Sequence, residues 1–336
     1  MRREIRRSLP GLACLLLAGC GGWQSAMDAH GTSAASLKQL IILIVVVCSV
    51  VWMLVMIALI RALSRERAPR TAPVDVDAER VRRMSVFISA AVAATVIVIS
   101  GFTVTSFFAT RRLSVAGPDD LTVKVSGLQW WWNVQYFGAT PAENFQTANE
   151  IHIPVGRNVR FQLEGDDVIH SFWVPSLAGK QDLIPGRPNE LSVRAERAGI
   201  YRGQCAEFCG MQHAHMAFFV IAEPQADFDR WAEMQRQPAA QPADSEAAAG
   251  QQAFLAKPCA ACHSVRGTAA TGTSGPDLTH VGSRKTIAAG LFDTTRGSLA
   301  AWIADPQTLK PGNNMPMVTL SRDELLSVSA YLASLK

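Results

Sequence analysis

Two runs of the chain, Leu40–Ile60 and Met84–Thr110, contain no charged residue at all. Each is long enough to cross the hydrocarbon core of a bilayer, which takes about 20 helical residues. A helix in a water-soluble core keeps a polar face, and neither run has one. The pattern predicts two transmembrane helices, over residues 37–62 and 84–110. The loop between them, residues 63–83, and its flank carry Arg61, Arg65, Arg67, Arg70, Arg80, Arg82 and Arg83, whereas Gly21–Ser36 has neither Lys nor Arg. Basic loops stay on the cytoplasmic side, so both ends of the chain are expected outside. Arg111 and Arg112 run against that assignment but are outnumbered.

The N-terminus has the outline of a signal peptide over residues 1–20. Arg2, Arg3, Arg6 and Arg7 precede an apolar stretch, Leu9–Leu17, and small residues before Cys20. Leu17-Ala18-Gly19-Cys20 also resembles a bacterial lipobox, which would make Cys20 a lipidated first residue after a short exported segment, 21–36. At 336 residues there is room for two globular domains beside the membrane elements. A net charge of +4 is too modest to argue for nucleic acid.

From Leu121 to Ala222 short strand-like runs recur: Leu121–Val125, Glu150–Pro154, Val159–Leu163, Leu191–Ala195, Gly199–Gln204 and Ala217–Ala222. Runs of this length with Gly, Pro and Asn between them predict a β-sandwich or barrel. Asp227–Arg236 reads as a closing helix, and the Pro/Ala-rich stretch 237–246 as a linker.

Between two of those strands, Cys205-Ala-Glu-Phe-Cys209-Gly-Met-Gln-His213-Ala-His-Met216 crowds two thiols, an imidazole and a thioether into one loop. Soft sulfur with imidazole is the ligand set that copper prefers, whereas zinc would use a further Cys or His in place of Met. Two thiolates can also be shared by two metal ions. A second imidazole is then needed, and His170 is the best-placed one upstream. Taken alone, Cys-x3-Cys in an exported chain equally fits a disulfide. His152, His215 and His280 read as surface or packing residues.

Cys259-Ala-Ala-Cys262-His263 is the attachment signature for c-type haem, with His263 as an axial ligand. Met315, after the Pro311-Gly-Asn-Asn turn, is the expected sixth ligand, and Met317 is its rival. Met/His ligation raises the haem potential and suits electron transfer. A final helix opens at Ser321 with Glu324 three residues on, a capping box.

His170 followed by Cys205-x-Glu207-x-Cys209-x3-His213-x2-Met216 resembles the dinuclear copper motif of cytochrome c oxidase subunit II, as do Gln129–Trp132 and Ser171–Arg187. That resemblance covers roughly residues 37–235. Gly250–Phe254 and Gly275–Arg284 resemble class I cytochrome c, over about residues 247–336. The implied fold is a two-helix transmembrane hairpin, an all-β cupredoxin-like Greek-key sandwich (113–236), then an all-α class I cytochrome c (247–336). The resemblance implies that Cys205 and Cys209 bridge two coppers, with His170 and His213 on one each. It makes Met216 and the Glu207 carbonyl weak ligands, and the Glu207 side chain a site for Mg or Mn at the subunit I interface. It also makes Trp130 an exposed acceptor of electrons from a docked cytochrome c; the plainer reading is that Trp130–Trp132 fill space on alternate sheet faces. Asp182 and Arg187 take supporting or interface roles.

The implied function is subunit II of a cytochrome c oxidase, carrying electrons from covalent haem c through copper to subunit I, where oxygen is reduced to water with proton translocation. Expected partners are subunits I and III, a soluble or membrane cytochrome c donor, and lipid. The expected location is the bacterial inner membrane, multi-pass, with both metal domains on the periplasmic or outer face. Family members often have a Glu at the start of the second membrane helix that admits protons; here the stretch is Asp77–Ser85, with Glu79 and no Trp just after. A quinol oxidase subunit would lack the copper ligands, and a nitrous-oxide reductase would need a further large domain. The remaining alternative, a membrane-anchored copper chaperone or carrier fused to a cytochrome c, ordinarily has one anchor and no counterpart of Met216.

Overall fold

The computed structural model describes residues 22, 24–65, 77–111, 121–138 and 140–336. The predicted signal peptide with Cys20, residues 66–76 of the basic loop, and Arg112 lie outside the described residues. The two apolar runs form helices α1 (Thr32–Ser64) and α2 (Ala78–Arg111), and Ser36–Val115 is a compact unit of its own. Their most apolar windows have mean hydropathies of 3.3 and 2.2, and no residue in those windows is buried. Both helices outrun the predicted limits. The uncharged stretch reports only the lipid-crossing part, while polar flanks continue the helix; at the start of α2, for instance, Arg83 pairs with Glu79 one turn away.

The β-domain is two packed five-stranded sheets. The first has the order β3-β2-β1-β5-β8, built from β1 (Leu121–Leu128), β2 (Trp131–Tyr136), β3 (Phe145–Ala148), β5 (Val159–Gly165) and β8 (Asn189–Val193). The second runs β4-β10-β9-β6-β7, from β4 (Glu150–Pro154), β6 (His170–Trp173), β7 (Gln181–Leu183), β9 (Gly199–Cys205) and β10 (Ala217–Glu223). Most pairs are antiparallel, but β1–β5 and β10–β4 run parallel, the strand crossing expected of a cupredoxin-like sandwich. Inward positions alternate strictly along β5, whose burial pattern places Val159, Phe161 and Leu163 in the core. The centre of that core is Trp132, fully buried, with edge-to-face contacts to Phe172 (6.0 Å) and Phe218 (5.0 Å). Truncating such a residue typically costs about 3–5 kcal/mol.

Helix α3 (Gln225–Arg236) closes the domain. Its Trp231 ring stacks on His152 at 4.0 Å, and His152 bonds Glu223 Oε1 at 2.8 Å and Glu150 Oε1 at 3.2 Å. His152 is therefore a buried packing residue, tied to two carboxylates. The residues just before α1 strap onto the same domain: His30 N–H donates to Ser176 O at 2.7 Å, and Gly31 bridges Ala195.

The C-terminal domain is built on α4 (Ser245–Ala256), α5 (Cys259–Cys262), α6 (Arg296–Ala304), α7 (Pro306–Leu309) and α8 (Arg322–Ser334). Each long helix starts on a side-chain cap: Asp244 for α4, Thr295 for α6, and the predicted Ser321/Glu324 capping box for α8. Such caps contribute about 1 kcal/mol each. At Gly250 a side chain would meet Ser327 O at 2.0 Å, so only glycine lets α4 cross α8 this closely. The expected all-α domain also contains a two-residue ribbon, β11 (Thr286–Ile287) with β12 (Phe292–Asp293).

Burial works to lower the His152 pKa, but hydrogen bonds to Glu150 and Glu223 outweigh it and hold the imidazole above its ordinary 6.5. The stabilisation from this imidazolium is full below about pH 6.5 and is lost as pH rises through the raised folded value. In thermal melts of the full chain, the wild type is expected to lose more Tm than His152→Gln as pH rises above neutrality. Parallel pH profiles for the two would contradict this.

Candidate metal centres

Strand pairing builds the first site. β6 pairs with β9, setting Phe172 opposite Cys205, and β9 pairs with β10, setting Gln204 opposite Ala217. The loop 206–216 therefore leaves and returns on adjacent strands. Cys205 N–H donates to Met216 O at 3.0 Å and closes it, and Ala206 N–H donates to Ser171 O at 2.9 Å, tying it to β6.

Cys205 Sγ then lies 3.7 Å from Cys209 Sγ, 3.9 Å from His170 Nδ1 and 3.2 Å from the Glu207 carbonyl oxygen. Cys209 Sγ lies 3.6 Å from His213 Nδ1 and 3.8 Å from Met216 Sδ. Both cysteines are free thiols, so the disulfide alternative does not describe this loop. His170, Cys205, Cys209 and Met216 are all buried, His213 is half-buried, and the Glu207 side chain is exposed. Each sulfur thus has its own imidazole and its own weak donor, carbonyl on one side and thioether on the other. Among the described residues, His170, Cys205 and Cys209 place ligand atoms within 4.8 Å of one another. Soft sulfur plus nitrogen in a buried pocket fits copper.

The thiol pair holds its protons unequally. The contact with Cys209 takes the Cys205 thiol down to about 3, and the same contact, with burial, pushes Cys209 up. The protein supports one thiolate readily; the second is favoured by a cation between the sulfurs.

His170 is aimed from behind. Asp167 Oδ1 lies 2.8 Å from His170 Nε2 and leaves Nδ1 facing the sulfurs, while Trp132 meets the ring edge-on at 6.1 Å. A side chain at residue 127 would come within 2.8 Å of His170 Cδ2, which is why β1 carries Gly127 there. Asp167 was not singled out in the sequence, although a carboxylate three residues before a candidate ligand was the available signal. His215 points away and bonds Gln212 Oε1 at 2.9 Å. Asp182 is half-buried on β7, and Arg187 is exposed.

The second site is a cavity of about 420 Å³ whose wall includes Cys259, Cys262, His263 and Met315. Its floor is apolar, with Leu299, Val328 and Leu332 among the lining residues. His263 Nδ1 bonds Pro276 O at 2.8 Å, which leaves Nε2 for a ligand, and burial lowers the His263 pKa and keeps the ring neutral. Gln307 Nε2 donates to Met315 O and Asn313 Oδ1 accepts from Met315 N–H, both at 2.8 Å, so the turn holds Met315 at the cavity. Met317 is 61% exposed and lies outside it. Two thiols, one imidazole and one thioether around an apolar slot fit a haem.

Trp130 departs from the expected exposed position: it is only 7% exposed. Its Nε1–H donates to Cys209 O at 2.9 Å, and its other side lines the same cavity as Cys259 and Met315. The C-terminal domain covers it, through contacts that no local motif announces.

These features define a membrane-anchored protein carrying a soft-ligand centre in a cupredoxin-like domain and a haem-type crevice in a cytochrome domain. The family model described as cytochrome c oxidase subunit II, periplasmic domain, matches residues 138–223, and that for cytochrome c matches residues 247–336. Cytochrome c oxidase subunit 2 of Alkalihalophilus pseudofirmus is 33% identical over 329 residues, covering 96% of this chain and 94% of that one. The Bacillus subtilis protein of the same name is 32% identical over 229 residues, 65% of this chain and 63% of its own. The crystal structure of the periplasmic domain of subunit II from Bradyrhizobium japonicum, 33% identical, covers 36% of this chain and 97% of that one, with a TM-score of 0.34. The chain belongs to the cytochrome c oxidase subunit 2 family and carries a fused cytochrome c domain.

Asp167→Ala should leave both thiols in place but weaken copper binding about 10- to 100-fold, because His170 loses the acceptor that orients it. Competition against a copper chelator measures this, and unchanged affinity would remove Asp167 from the site.

Proposed function

We propose that the chain is the electron-transfer subunit of a haem-copper oxidase, relaying electrons from a covalent haem c to a dinuclear copper centre and on to subunit I, where oxygen is reduced to water with proton translocation. The observation that carries this reading is the paired donor set: two sulfurs 3.7 Å apart, with an imidazole nitrogen 3.9 Å from one and 3.6 Å from the other. When bound, both groups supply one-electron redox chemistry with no bond made or broken in this chain.

The protein's part is to hold donors still. Cys205 and Cys209 would hold two coppers between them, with His170, His213, Met216 and the Glu207 carbonyl as the remaining donors. Because strands hold His170 and Cys205, and the Cys205 N–H to Met216 O bond closes the loop that carries the other donors, little can shift when the charge of the site changes, and that favours fast transfer. Cys259 and Cys262 would hold haem through thioether bonds, with His263 and Met315 as axial ligands. Trp130, bonded to the Cys209 carbonyl at one edge and lining the haem crevice at the other, is the natural connection between the sites. The exposed Glu207 carboxylate is assigned to a Mg or Mn ion at the face toward subunit I.

The domain limits follow the same reading: copper domain 113–236, linker 237–246, cytochrome domain 247–336, all on the periplasmic or outer face of a bacterial inner membrane, anchored by a hairpin whose basic loop is cytoplasmic. Subunit III and a soluble or membrane cytochrome c donor are the further partners.

Two variants test the assignments. Met216→Leu is expected to keep two coppers but shift the potential of the centre and slow electron exit; an unchanged spectrum and rate would take Met216 out of the ligand set. His263→Ala is expected to abolish the normal haem spectrum while copper still binds. An intact haem spectrum in that variant would make the axial assignment wrong.

A further inference from the structure

Lys310 is a basic residue on the wall of the second cavity that is not among the donors of either metal site. It follows α7 in the cytochrome domain, is 2% exposed, and its Nζ donates to three backbone carbonyls. Two belong to the copper domain: Trp130 O at 2.7 Å and His215 O at 2.8 Å. The third, Ala288 O at 3.1 Å, lies in the cytochrome domain itself. Three acceptors match the three donors of an ammonium group. Burial works against the charge and takes the amine down to about 7, so the site gives up solvation that a surface lysine would keep. A lysine needed only for solubility would not be spent in this way.

Around Lys310 the two domains meet through backbone-directed hydrogen bonds. Ala217 N–H donates to Ala289 O at 3.0 Å, Lys285 N–H to Glu150 Oε2 at 2.8 Å, and Gln212 Nε2 to Pro311 O at 2.8 Å. Ala217 directly follows Met216, and Gln212 directly precedes His213, so this seam runs along the candidate copper loop. Lys310 reaches its centre, since one of its acceptors is the carbonyl of the tryptophan whose indole bonds Cys209.

We propose that Lys310 is a positioning residue that pins the cytochrome domain onto the copper domain over Trp130, so that the fused cytochrome is a docked partner and not a mobile tethered one. The Ala288 carbonyl holds the lysine in its own domain; the Trp130 and His215 carbonyls are the docking points. A consequence is that the Trp130 surface is closed to a second cytochrome, and an external donor must meet the C-terminal domain on another face.

Hydrogen–deuterium exchange on the full-length chain tests this, and it reads contact independently of which redox groups are carried. In Lys310→Met, the amides of Ala217 and Lys285 are expected to exchange on the order of tenfold faster, while the amides of α8 keep their wild-type protection. Gln212→Ala, which removes a neighbouring contact of the same seam without touching the lysine, is expected to accelerate the same amides by a smaller factor. Unchanged exchange at Ala217 and Lys285 in Lys310→Met overturns the proposal. So does acceleration extending equally into α8, because Lys310 would then be holding its own domain together. Should Lys310→Met fail to accumulate, Lys310→Gln is read at the same amides: unchanged exchange overturns the proposal, and faster exchange confined to the seam supports it.

Discussion

The structure rests on one short closure, the hydrogen bond from Cys205 N–H to Met216 O that joins the two ends of the 206–216 loop. Because β9 and β10 are neighbours in one sheet, the first and last donors of the motif are fixed before the loop is built. The sulfur of Cys205 and the thioether of Met216 each come within 3.8 Å of Cys209 Sγ, and β6 adds His170 from the other side of β9. Cys209 and His213 then have little freedom left. Gln129 Nε2 and Trp130 Nε1 both donate to Cys209 O, so the middle of the loop is anchored as firmly as its ends. A site on a loop is usually less exact than one on strands; this loop behaves as an extension of its sheet.

That rigidity has its source in the core beneath. Trp132 fills the sandwich directly under His170, and Gly127 leaves room for the imidazole where any side chain would collide. Stability and the geometry of the donor set are thereby coupled. A substitution that loosens the Trp132 contacts would move a donor atom as well as weaken the fold.

The relation between the two soluble domains differs from a simple tether. A Pro/Ala-rich linker reads as a spacer that raises effective concentration. In the structure its start is held: Ala239 N–H donates to Arg266 O at 2.9 Å, and His280 Nε2 lies 3.1 Å from Gln237 O. Direct contact takes the place of a search by a free domain, and it is this contact that buries Trp130. The candidate donors, the capping box of α8 and six of the strands were legible because each depends on residues close in sequence: the Cys/His/Met spacing, the Ser321/Glu324 pair, the alternation along β5. The edge strands β3 and β7, four and three residues long, were not legible, because so few residues carry no clear alternation. Lys310 and the burial of Trp130 depend on distant partners, and composition near them carries no trace of what they touch.

The most direct measurement is copper and haem content of the intact chain together with its electron paramagnetic resonance spectrum. Two coppers per haem, with hyperfine structure spread equally over two copper nuclei, is the expected result. It would mean that one electron is shared across the Cys205–Cys209 bridge. A single copper per chain, with the unpaired electron confined to one nucleus, would contradict the account.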